Sequence, residues 1–175
     1  KKYILDNSTP QDTLLAELER ETFMRAVHPH MMSGHEQGAL LQTLTRMIRP
    51  RNVLEIGTFT GYSTLSIAAG LEDGACIDTV EVNDEMQEIY KDFFARSPHG
   101  DKIQPHIGSA LDVVPKLNKT FDLVFIDGGK KEYPEYFNML MGNGVFLGNG
   151  QLVRSGAYII ADNILWYGKV VEETP

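Results

Sequence analysis

Residues 52–63 read NVLEIGTFTGYS, and the rest of the chain can be placed outward from them. Val53, Leu54 and Ile56 form a short apolar run, as a strand does when it is buried on both faces of a parallel sheet. Gly57 and Gly61 bracket a turn. From Tyr62 to Leu71, the residues Leu65, Ala68 and Ala69 return at helical spacing. A strand, a glycine turn and a helix start form the nucleotide-binding half of a doubly wound fold, where glycines let the backbone approach a ligand. The spacing is not the dinucleotide fingerprint G-x-G-x-x-G. It is Glu55-x-Gly57-x-x-x-Gly61, with an acid inside the strand. Glu81 then closes the next apolar strand, Ile77 to Val82, where a carboxylate can accept hydrogen bonds from both hydroxyls of a ribose. Taken alone, the glycine pair fits an unrelated α/β protein equally well.

Upstream, Thr9-Pro10 predicts a helix start with Thr9 as N-cap and Pro10 at the first helical position. Leu14, Leu15, Leu18, Thr22 and Phe23 share one face of that helix, which ends near His28-Pro29. Ser33-Gly34-His35-Glu36 has the form of a capping box. It opens a second helix with Leu40, Leu41, Leu44, Met47 and Ile48 apolar, ending at Arg49-Pro50-Arg51. Downstream, the pattern predicts a strand from Cys76 to Val82 and a helix from Asp84, which can cap it, to about Arg96. A strand from Lys102 to Gly108 and a short helix from Ala110 to Leu117 follow. Further strands run from Phe121 to Asp127 and from Ala157 to Ala161. This β/α alternation predicts a Rossmann-like, doubly wound, mostly parallel sheet with helices on both faces. One domain is expected, with N-terminal helices in 1–50 and the core in 51–175. Residues 141–150, MGNGVFLGNG, read as an insertion that forms a hairpin, a flap near the site or a surface loop.

A chain of 175 residues, 42% hydrophobic, can bury a stable core. The formal net charge of −8 argues against a broad nucleic-acid or acidic-membrane surface. Cys76 is the single cysteine, which leaves no disulfide framework and no cysteine metal site. With no 18-residue apolar run and no signal peptide, a cytoplasmic protein is expected. The first residue is Lys1 rather than Met, which points to a trimmed N-terminus. His28, His30, His35, His99 and His106 show no H-E-x-x-H spacing and read as structural or exposed.

The chemistry gathers at strand ends. Glu55, Glu81, Asp127 and Asp162 all fall at the carboxyl ends of expected strands, the edge of an open α/β sheet where ligands bind. Asp127, Asp162 and Asn163 are oxygen donors of the kind that hold Mg²⁺, Ca²⁺ or Mn²⁺. Two carboxylates sharing a pocket repel unless a cation or a proton lies between them.

LEIGTFTGYS (54–63), FIDGGK (125–130) and ADNILW (161–166) together resemble the metal-dependent class of S-adenosylmethionine (SAM) O-methyltransferases, the caffeoyl-CoA and catechol type. The resemblance runs from about Tyr3 to the C-terminus. It implies methyl transfer from SAM to a hydroxyl of a catechol-like or hydroxycinnamoyl small molecule, with a divalent metal. It implies a cofactor site of Met32, Ser33, Glu55, Gly57, Gly61, Tyr62, Ser63, Glu81, Ala110 and Asp127. Asp127, Asp162 and Asn163 would bind the metal, and Lys130 would be the general base beside Asp127. Trp166 and Tyr167 follow the metal segment directly, a position that suits either stacking on a flat aromatic substrate or packing under the sheet edge. A homodimer is implied, because relatives commonly form one. The chain departs from the pattern in two places. Many relatives carry a second acid between Asp127 and Lys130, where this chain has Gly128-Gly129, which puts the hold on the cofactor's methionine part in doubt. Relatives also continue into a strand pair that completes a seven-stranded sheet, so a sheet lacking that pair is expected here. Two other readings compete: methylation of a hydroxylated tRNA uridine, against which the net charge counts, and a noncatalytic SAM-binding module.

Overall fold

Strand β1, Asn52–Ile56, lies at the centre of the sheet because its side chains are apolar on both faces. Val53 packs into one core with Leu65, Ile77 and Leu123, while Leu54 and Ile56 pack into a second with Val80, Val124 and Ile126. This alternation is the period of two that a strand imposes. The computed structural model describes residues 2–142, 150–165 and 168.

Helices α1 (Lys2–Asn7), α2 (Thr13–Arg25) and α3 (Gly34–Ile48) precede β1. After it come α4 (Tyr62–Ala68), β2 (Cys76–Glu81), α5 (Gln87–Arg96), β3 (Ile103–Ile107), α6 (Ala110–Val113), β4 (Phe121–Ile126), α7 (Tyr133–Leu140) and β5 (Val153–Ala161). The strand order is β3-β2-β1-β4-β5, and each of the four pairings is parallel. The chain reverses its direction of winding between β1 and β4, and the carboxyl ends of these two strands form the switch point. The first core, with residues from α2 to α5, covers one face of the sheet; the second, with residues of α6 and α7, covers the other.

The helix boundaries differ from expectation at four places. Thr9-Pro10 lies in the connection after α1, and α2 begins later, capped by Asp12. The Asp12 carboxylate accepts from the backbone of Leu14 at 2.8 Å and Leu15 at 3.4 Å, a full N-cap arrangement. Ser33 makes no capping bond: its own backbone is already helical, so the hydroxyl is not aimed at the orphan N–H groups. Helix α5 starts at Gln87, whose N–H bonds the backbone carbonyl of Asp84 at 3.0 Å. Helix α4 stops at Ala68, short of Leu71. Strand β5 starts four residues before Ala157, with Arg154 anchored to Asp122. The expected insertion at 141–150 lies for the most part outside the described residues, as do Trp166 and Tyr167.

Candidate active site

A cleft of about 620 Å³ opens at the carboxyl edge of the sheet over β1, β2 and β4. That volume suits a cofactor-sized ligand. Its floor is the turn after β1. Gly57 has φ +106°, and a Cβ there would stand 2.5 Å from the carbonyl oxygen of Asp127, so only glycine lets β1 and β4 approach so closely. Gly61, at φ +90°, is held against the Phe94 ring and leads directly into α4.

The acids at the strand ends divide by the direction they face. Glu81 lines the cleft, with its carboxylate fixed by the N–H of Phe59 at 2.8 Å and of Asn83 at 3.0 Å. Glu55 points the other way. It is wholly buried behind the turn, where Oε2 accepts from the Thr64 hydroxyl and from the Thr79 hydroxyl at 2.5 Å. Thr79 in turn sits 2.6 Å from the Thr58 hydroxyl, so the carboxylate anchors a chain of side chains under the loop. Oε1 makes no hydrogen bond. Burial pushes the Glu55 pKa up to about 7, against the easing effect of the Ser63, Thr64 and Thr79 hydroxyls. Glu55 and Gly61 therefore support the turn from behind. Met32, Ser33, Gly57, Tyr62, Ser63, Glu81, Ala110 and Asp127 line the cleft itself.

At the ends of β4 and β5 a second group converges. Lys130 reaches back to Asp127 at 2.6 Å and donates to the Tyr133 hydroxyl at 2.9 Å. That hydroxyl lies 3.1 Å from the carbonyls of both Ile126 and Asp162, tying the two strand ends together. Gln37 of α3 donates to Asp162 Oδ2 at 3.0 Å, and the Asn163 N–H donates to Oδ1 at 2.7 Å. Burial raises the Asp127 pKa; Lys130 opposes this, and the charge of Asp162 adds to it. Burial alone would lower the Lys130 pKa, yet the contacts with Asp127 and Tyr133 outweigh it and hold the value above that of an ordinary lysine. The ammonium is thus the counter-charge of Asp127, while Asp162 is held by the neutral donors of Gln37 and the Asn163 N–H.

Sequence reasoning missed Tyr133, Gln37, Glu132 and Tyr136. Tyr133 and Glu132 follow Lys130 closely and could have been noticed from that spacing. Gln37 lies 125 positions from its partner and carries no local signal.

Sheet order, glycine turn and cleft together define the fold of the SAM-dependent methyltransferases. The family described as O-methyltransferase matches residues 5–175, and the chain belongs to it. It is 31% identical to a catechol O-methyltransferase of Niastella koreensis, over 93% of this chain and 70% of the relative. It is 33% identical to a caffeoyl-CoA O-methyltransferase of Petroselinum crispum, over 98% of this chain and 70% of the relative. Among solved structures, an O-methyltransferase from Bacillus cereus in complex with S-adenosylhomocysteine (SAH) superposes with a TM-score of 0.86 at 31% identity. That match covers 99% of this chain and 76% of the other. The O-methyltransferase TomG of Streptomyces achromogenes, in complex with SAM, gives 0.85 at 29% identity, over 99% of this chain and 75% of the other. No helix among the described residues is long and apolar enough to cross a membrane.

Proposed function

We propose that the protein methylates one hydroxyl of a catechol-like or hydroxycinnamoyl small molecule, using SAM and a divalent cation held by Asp127, Asp162 and Asn163. The observation that carries this reading is the meeting of Asp127, Asp162 and Lys130 beside the cleft: two acids close enough for one to raise the pKa of the other, with one lysine between charge and cleft. Among the described residues no group of three or more His, Cys, Asp or Glu is placed to hold a metal ion; the ligands proposed here are two carboxylates and an amide oxygen. Such an all-oxygen set fits a hard cation, Mg²⁺ first, with Ca²⁺ or Mn²⁺ as alternatives.

SAM supplies an electrophilic methyl on a sulfonium. A bound divalent cation supplies a Lewis acid for a hydroxyl whose pKa, about 10 for a phenol, leaves it a poor nucleophile at neutral pH. The chain's own residues do the rest. Glu81, fixed by two backbone donors in the cleft, would hold the ribose hydroxyls. Backbone of the turn from Gly57 to Ser63 would hold the methionine part of the cofactor. Lys130 is placed to take the hydroxyl proton, but while it pairs with Asp127 and Tyr133 it keeps its own. Its base form would be favoured only where the contact with Asp127, which holds the proton on the amine, is loosened.

The reading is tested with labelled SAM on catechol and phenol, each with and without EDTA. Catechol should be methylated only without the chelator. Phenol, which offers one oxygen and so loses orientation as well as activation, should be methylated slower by orders of magnitude. Equal rates on both, or full activity after exhaustive chelation, would refute it.

A further inference from the structure

Glu132 is a cleft carboxylate that none of these roles uses. It ends the single 3₁₀ turn Lys130–Glu132 that follows Gly129, and it lines the cleft with Gly128, Gly129 and Tyr136. Its Oε2 accepts a hydrogen bond from the Tyr136 hydroxyl. Burial and the neighbouring Glu132 raise the Tyr136 pKa, so that hydroxyl stays protonated and remains a donor.

Its position depends on Gly129. The backbone there, at φ −60° and ψ 113°, is conformation any residue adopts, so the path of the chain does not call for glycine. A Cβ at 129 would stand 3.2 Å from Glu132 Oε2. The Glu132 carboxylate therefore borders the space that a side chain at 129 would enter, at the mouth of the cleft beside Asp127. The other acids there are already engaged. Glu81 is held by the backbone of Phe59 and Asn83, and Asp127 is neutralised by Lys130 at 2.6 Å. Glu132 has a neutral hydroxyl as donor and, among the described residues, no ion pair.

A zwitterionic amino acid moiety needs a carboxylate for its ammonium group. We infer that Glu132, oriented by Tyr136, binds the α-ammonium of the cofactor's methionine part, in the space that a side chain at position 129 would otherwise enter. The inference rests on SAM being the cofactor, and it predicts a binding preference that is independent of turnover.

The test is calorimetric, using SAH and the analogue in which hydrogen replaces its α-amino group. Wild type should prefer SAH. Glu132→Gln should weaken SAH by about fivefold to tenfold, the low end for a charge-assisted bond because the side chain is exposed to the cleft, and should leave the analogue unchanged. Gly129→Asp added to Glu132→Gln should restore the preference, since the backbone at 129 accepts a side chain. Thermal melts of each variant confirm folding. Unchanged SAH affinity in Glu132→Gln, or an equal loss for both ligands, would overturn the assignment. Failure of the wild type to bind SAH at all would instead overturn the cofactor reading beneath it.

Discussion

Replacing Glu55 with glutamine should change how stability depends on pH, and the size of the change follows from the burial of this side chain. Its pKa rises from 4.5 to about 7 on folding, mainly because the carboxylate is fully desolvated. At about 1.4 kcal/mol for each pH unit, that gap corresponds to about 3 kcal/mol. Because the folded value lies above the unfolded one, the folded state holds the proton more tightly. The associated stability is fully present below pH 4.5 and is lost as pH rises through 7. Glutamine is neutral throughout and lacks this dependence. Its carbonyl can take the Thr64 and Thr79 donors, while its amide N–H₂ must occupy the Oε1 side, where the carboxylate itself makes no hydrogen bond. That mismatch costs about 1–3 kcal/mol, equally at every pH. Urea unfolding of both proteins, in EDTA, from about pH 5 to pH 8.5 isolates the effect, since other groups cancel in the difference. Glu55→Gln should gain about 2–3 kcal/mol on the wild type across that range. Parallel curves would refute the claim that a buried carboxyl titrates near neutrality beneath the turn.

Two further outcomes concern the ligands. Glu81→Ala should weaken SAH binding by about 1–3 kcal/mol through lost charge-assisted hydrogen bonds, measured by calorimetry; an unchanged affinity would remove Glu81 from the cofactor site. Asp162→Ala should abolish methyl transfer and remove one Mn²⁺ site in a spectroscopic titration while leaving SAH affinity nearly intact. Mn²⁺ binding at wild-type strength in that variant would mean the cation, if any, is held elsewhere.

What could be read from the sequence tracks how local the physics is. Strands β1, β2 and β4 are buried on both faces and mostly apolar, and a run such as Phe121 to Ile126 admits few other readings once glycines and helical spacing flank it. Strand β5 was placed from its apolar end only, because Arg154, Ser155 and Gly156 are exposed and give no alternating signal. Helix α1, six residues long, is too short for periodicity to register. The start of α2 was misplaced because Thr9-Pro10 and Asp12 are both credible caps, and only the three-dimensional path shows which carboxylate meets the free N–H groups.

Glu55 shows the limit within the site itself. In sequence it matches Glu81: an acid at the end of an apolar strand, with glycine or a polar loop beyond. The two differ in how far along the strand they lie: Glu55 pairs with Thr79, two residues short of Glu81, and so sits below the edge. Glu55 shares a face with Val53, under α4, and Thr64 and Thr79 close over it, whereas Glu81 is the last residue of its strand and turns into the cleft. The same distinction bears on the Lys130 centre. From the motif alone, Lys130 reads as a base waiting for a proton. In the fold, Tyr133 joins the carbonyls of β4 and β5, Gln37 reaches over from α3 to Asp162, and Lys130 is drawn into an ion pair that keeps it charged. The chain thus holds Asp127 with its own lysine and Asp162 with neutral donors. That arrangement arises from three segments meeting at one sheet edge, and no single motif contains it.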